Sequence, residues 1–106
     1  MMEQTVFEII RQRGIIPGMI VMSLKGHDTG RLYLVIGVEE NFAWLADGNL
    51  RSIVRTKKKR CSHIKPLGQA VEPGLVERMH VMRQEEADIE IRKTISSFLS
   101  MNEKEG

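Results

Sequence analysis

Asp28-Thr29-Gly30 is where this sequence first offers chemistry. An aspartate in that triad can supply one carboxylate of a pair that shares a single proton and activates water. A chain of 106 residues would need a second copy of itself to supply the other carboxylate. Such a group sits at the end of a buried apolar strand. Asp28 instead follows Lys25-Gly26-His27 and precedes Arg31, so neighbouring cations are expected to keep it fully ionised. A tight turn accounts for the triad more completely: Asp and Thr can bond nearby backbone, and Gly30 can take a positive φ before the next strand. Asp28 and Gly30 are therefore read as turn residues. The small dimeric aspartic proteases also need a later apolar-apolar-Gly segment, and Ile36-Gly37 follows the triad too soon to serve.

The second concentration of chemistry is electrostatic. Residues 51–65 hold Arg51, Arg55, Lys57, Lys58, Lys59, Arg60 and Lys65 without a single acid. That density of charge repels itself unless counter-ions intervene, and phosphates are the natural ones. Lysines also blunt an exposed sheet edge, which is the purely structural reading of the run. The wider charge pattern favours the phosphates. Residues 19–68 carry nine Lys/Arg against four Asp/Glu, whereas residues 69–106 carry five against eight, so a basic middle precedes an acidic end. Lys25, His27 and Arg31 flank a loop in which Gly26 would let the backbone approach a phosphate and donate its N–H. An A-form RNA would then be chosen by backbone shape and 2′-hydroxyls. Tyr33 and Trp44 could stack on unpaired bases, but as strand residues both are expected in the core. Replacing Lys57, Lys58, Lys59 and Arg60 with Ala is expected to cut RNA affinity without unfolding the domain.

Other chemistries find little here. Cys61 and His63 are two residues apart, but His27 and His80 are the only other histidines and no second cysteine exists, so no zinc set is expected. Cys61 lacks a recognisable base and orienting group, which argues against a nucleophile and for a small packed residue. Glu85, Glu86, Asp88 and Glu90 read as a solvated helical face. No cofactor and no catalysis are expected.

Periodicity predicts the helices and strands on which these groups are carried. Thr5 to Arg13 reads as a short helix, with Thr5 and Glu8 at capping-box spacing and Gly14 and Pro17 stopping it. Met19–Leu24 and Arg31–Val38 read as strands, the second with Leu32, Leu34, Ile36 and Val38 on one face and Tyr33, Val35 and Gly37 on the other. Phe42–Ala46 reads as a third strand. Asp47-Gly48-Asn49 carries a hairpin signal, Leu50–Val54 is the expected fourth strand, and His63–Leu67 a short fifth. Short strands between glycine-bearing turns predict a small, strongly bent antiparallel barrel and a mainly β fold. Beyond Gly68, Leu75, Met79 and Met82, then Ile91, Ile95, Phe98 and Leu99, predict one long helix or a helix pair, with the last five residues frayed.

Gly18-Met19-Ile20-Val21, Gly26 and Gly30 four residues apart, and the apolar strand after them resemble the KOW motif. The following Trp44-to-Arg51 strand and Asp-Gly turn, Lys57-Lys58-Lys59, and His63-Ile64 extend the likeness in order. It covers about residues 18–67 and is similar to the small bacterial KOW-domain RNA-binding proteins and KOW-containing large-subunit ribosomal proteins. The resemblance implies an SH3-like β-barrel over 18–68; the N-terminal helical extension over 1–17 and the C-terminal helical region over 69–106 are expected from periodicity and match nothing diagnostic of that family. The resemblance also implies an RNA partner, structured or ribosomal, and a role in translation. Gly18, Asp47 and Gly48 join Asp28 and Gly30 as expected turn residues.

A protein partner is the rival reading, through the barrel or through a Met79–Met82 stripe able to adapt to an irregular surface. Apolar runs too short to span a bilayer, no secretory leader pattern at the start, and a lone cysteine predict a cytoplasmic protein without a membrane partner.

Overall fold

Between Met19 and Gln69 the chain lays down five strands: β1 Met19–Ser23, β2 Leu32–Glu39, β3 Phe42–Ala46, β4 Lys57–Arg60 and β5 Ile64–Gln69. They form one antiparallel sheet in the order β4-β3-β2-β1-β5. A single 3-10 turn, Cys61–His63, links the two edge strands, and no ladder pairs β4 with β5 among the described residues. The sheet is therefore open. Two helices follow, α1 Pro73–Met79 and α2 Gln84–Glu105. The structure, a computed structural model, describes residues 14–105, and the expected helix over 5–13 lies outside them.

Both faces of the sheet carry a core. On the inner face Val21, Tyr33, Val35, Ala43, Leu45 and Ile64 pack with Ile15 and Cys61. On the outer face Ile20, Leu34, Ile36 and Ala46 pack against Val76 and Met79 of α1 and Ala87 and Ile91 of α2. The helices thus share one core with the sheet, and the fold is mixed α/β rather than mainly β. Met79 is fully buried in that core and the partly buried Met82 packs against it, so the methionine stripe packs toward the sheet. The break at His80–Arg83 gives a helix pair and lets both apolar stripes reach the sheet. Helix α2 continues to Glu105, where the sequence predicts fraying.

Strict alternation in β2 fails at one place. The β2–β3 register shifts between Val35 and Gly37, so Ile36 is an extra residue and the parity of the strand beyond it reverses. Val38 then packs on the inner cluster, not with Leu32, Leu34 and Ile36 as alternation predicts, while Gly37 lies across from Trp44. A second shift, between Ile20 and Val21, bends β1 against β5.

The fourth strand is not Leu50–Val54. Asp47 Oδ1 accepts the N–H groups of Asn49 and Arg51, each at 2.9 Å, and Asp88 Oδ1 accepts that of Ile53 at 2.8 Å. Those donors cannot also serve a ladder, so the segment becomes a loop docked on α2. Gly48, at φ +78°, passes so close to α2 that a Cβ there would strike the Asp88 carbonyl, and its own carbonyl accepts from Arg92. The strand forms instead from the basic run, Lys57–Arg60.

Candidate nucleic-acid interface

A strand of four cations needs a partner, and the loop between β1 and β2 provides it. Gly26 (φ +94°) and Gly30 (φ +89°) turn the chain tightly, with Thr29 bonded to the Gly26 carbonyl and Gly30 N–H to the Ser23 carbonyl. This aims Asp28 back at the end of the inner core. Its Oδ1 accepts from Ser23 Oγ at 2.8 Å and Lys59 Nζ at 2.7 Å; its Oδ2 accepts from Tyr33 OH at 2.7 Å and meets Lys57 Nζ at 3.0 Å. Burial pushes the Asp28 carboxyl upward, but hydrogen bonds from Lys59, Tyr33, Lys57 and Ser23 outweigh it and hold the group far below the usual carboxylate range. Burial and then the Asp28 charge push the Tyr33 phenol above its ordinary value. Both carboxylate oxygens are thus engaged by donors of the same chain. Asp28 anchors the loop to the sheet.

Beside this anchor lies a polar cleft of about 340 Å3, lined by His27, Asp28, Arg31, Tyr33, Leu50, Arg51 and Lys57. Three separate segments contribute its basic side chains: the β1–β2 loop gives His27 and Arg31, the loop after β3 gives Arg51, and β4 gives Lys57. The docking of the Asp47–Thr56 loop on α2 is what holds Arg51 there. One carboxylate faces several positive groups, and its lone pairs are already engaged. Such a site attracts anions.

Strand pleating sends the rest of β4 elsewhere. Lys57 and Lys59 sit opposite Leu45 and Ala43 and point inward, whereas Lys58 and Arg60 sit opposite Trp44 and Phe42 on the outer face. There Lys58 Nζ lies 4.5 Å from the Phe42 ring centre and 5.4 Å from that of Trp44, and Arg60 Cζ lies 5.2 Å from Phe42. Both rings are half-buried and belong to neither apolar cluster. The helices pack on the outer face over Ile20, Leu34, Ile36 and Ala46, and neither aromatic ring joins that cluster.

The expected cations therefore do not form one continuous face. His27, Arg31, Arg51 and Lys57 meet at the cleft; Lys58 and Arg60 share the outer face of β3–β4; Lys65 is exposed on β5, the other edge strand. Lys25 and Arg55 are exposed, and Lys25 gives its carbonyl to Lys59 Nζ at 2.6 Å. Lys59 is only 8% exposed, hydrogen-bonded to Asp28 and to the Lys25 carbonyl, and so is a structural cation instead of a phosphate ligand. Replacing all four of Lys57–Arg60 would thus disturb the fold, against the expectation that the domain stays intact. Tyr33 is 1% exposed and lies in the core, closed to stacking. Sequence reasoning gives Phe42 and Gly37 no part in the site; pairing the basic run as a strand against Phe42–Ala46 would reveal Phe42.

Among the described residues, no ion pair joins the acidic end to these groups; the ion pairs are Asp28 with Lys57 and Lys59, and Arg83 with Glu85. No group of three or more His, Cys, Asp or Glu residues among them could hold a metal ion, and no helix among them is long and apolar enough to cross a membrane. No protein-family model matches the chain, and no curated protein matches its sequence.

Proposed function

We propose that this chain is a non-catalytic RNA-binding module that grips the sugar-phosphate backbone. The observation that carries the reading is the meeting of His27, Arg31, Arg51 and Lys57 from three segments at one cleft, beside a carboxylate whose oxygens are saturated. Scattered surface lysines would not require a docked loop and a dedicated anchor to bring them together. A phosphate in the cleft meets Arg31 and Arg51, whose planar forks suit its oxygens, and the Lys57 donors not used by Asp28.

The family reading is consistent with this. The chain resembles KOW-type proteins over 18–67, and an SH3-like barrel is the finer form of its sheet that we favour. Two register shifts that bend the strands, an enclosed inner core, and a 3-10 turn joining the edge strands all support that form. Within the same reading the RNA is ribosomal and the site of action is the ribosome in the cytoplasm.

The test is an anisotropy titration of a labelled RNA hairpin against the wild-type chain and the Arg31→Ala/Arg51→Ala variant. Both positions are exposed, so the variant should fold normally and bind at least tenfold more weakly. Equal affinities would remove the cleft from the account, and no binding by the wild type would remove the function.

A further inference from the structure

We propose that the outer face of β3–β4 is a stacking platform for unpaired nucleotides, so that the RNA recognised carries single-stranded bases beside its helix. This rests on the RNA reading above but on different residues. Two aromatic rings, Phe42 and Trp44, lie two residues apart on β3 and share a face by strand pleating. Both are half-buried and belong to neither apolar cluster, and cations lie over their rings.

Three further observations shape the platform. Gly37, across the ladder from Trp44, has nothing within 4 Å of where a Cβ would stand, so open space borders the indole on the β2 side. Lys58 borders it on the β4 side, and Lys58 and Arg60 are exposed on the edge strand, where phosphates attached to a stacked base would pass. Glu39, at the end of the same row beside Phe42, is the one acid in the row and limits the nucleotide track to the Trp44 side. The occupant that matches flat apolar rings rimmed by positive charge is a base with its phosphate.

The cations over the rings then act as placeholders. An exposed cation–π contact is weaker than a base–aromatic stack. An arriving base can displace the flexible Lys58 ammonium from the rings, and the ammonium is left beside the phosphate of that base. Every base offers a π face, so the platform reads strandedness and not sequence.

Trp44 is the only tryptophan in the chain, so intrinsic fluorescence reports on the platform by itself. The experiment titrates the full chain with two RNAs, a blunt-ended duplex and the same duplex with a four-nucleotide 3′ overhang. The overhang RNA should quench Trp44 fluorescence and bind about tenfold more tightly than the blunt one. Phe42→Ala should remove that advantage. Gly37→Val, which fills the open space without requiring an unusual φ, should do the same while leaving the sheet intact. Equal affinity for both RNAs with unchanged Trp44 emission would overturn the platform and leave the cleft standing. Failure of both RNAs to bind would overturn the RNA reading itself.

Discussion

Asp28 and Lys59 meet at 2.7 Å although 31 residues separate them in sequence, and both are almost wholly buried. The contact ties the β1–β2 loop to the edge strand β4 at the mouth of the inner core. Paired and hydrogen-bonded, the two charges are tolerated there; removal of either leaves the other uncompensated.

Asp28→Asn should therefore lower stability by about 3 kcal/mol. The acid dependence is the sharper sign. Because the folded carboxyl lies far below its ordinary value of 3.8, its contribution is full above about pH 5 and is lost progressively as pH falls through 4 and below. Urea midpoints measured from pH 6 down to pH 2.5 should fall steeply for wild type and less steeply for Asp28→Asn. Parallel curves would mean that the network contributes no pH-dependent stability.

Adjacent lysines should behave as opposites. Lys59→Met removes a buried partner of Asp28 and should cost roughly 2–3 kcal/mol. Lys58→Ala, on the exposed face, should change stability by less than about 1 kcal/mol while weakening RNA binding. Thermal denaturation paired with binding titrations of the two variants separates the roles, and a destabilised Lys58→Ala would contradict the strand parity described.

Tyr33 is the only tyrosine in the chain, so the alkaline rise in absorbance near 295 nm follows it alone. Its phenol is raised above the ordinary value of 10.0 by burial and by the Asp28 charge. Its contribution to stability is full below about pH 10 and is lost as pH rises beyond that. Native protein at pH 10.5 should show almost no tyrosinate, and urea-unfolded protein should show most of it. Ordinary titration in the folded state would place Tyr33 in solvent.

Two glycines with similar backbone angles should differ in tolerance. Gly18 has φ +93° and a Cβ there would collide with the Val71 carbonyl; Gly30 has φ +89° and nothing within 4 Å. Gly30→Ala should cost about 1–2 kcal/mol from conformation alone, whereas Gly18→Ala should exceed about 3 kcal/mol. Chemical denaturation of both variants checks the ranking.

The first three strands are legible in the sequence because apolar residues recur along them between glycine-bearing turns, and Phe42–Ala46 can be delimited to the residue. Strand β4 is not legible. Lys57-Lys58-Lys59-Arg60 has no apolar residue to mark a buried face, and its inward positions are stable only because Asp28 arrives from a distant loop. The Asp47–Thr56 loop is misread for a related reason, since the side chains of Asp47 and Asp88 take backbone donors that propensity assigns to a ladder. The bulge at Ile36 likewise reverses parity without a local signal beyond Gly37. At the site, the basic residues are evident from composition, but their division between cleft, outer face and core comes from strand pleating, which the run on its own does not display.

The most direct test of phosphate recognition is the salt dependence of RNA affinity. If Arg31, Arg51, Lys57, Lys58 and Arg60 each neutralise one phosphate, log K against log salt should have a slope of about −3.5 to −4.5. In Arg31→Ala/Arg51→Ala the slope should become shallower by roughly 1.4 to 1.8. A wild-type slope near zero, or one unchanged in the double variant, would contradict the account.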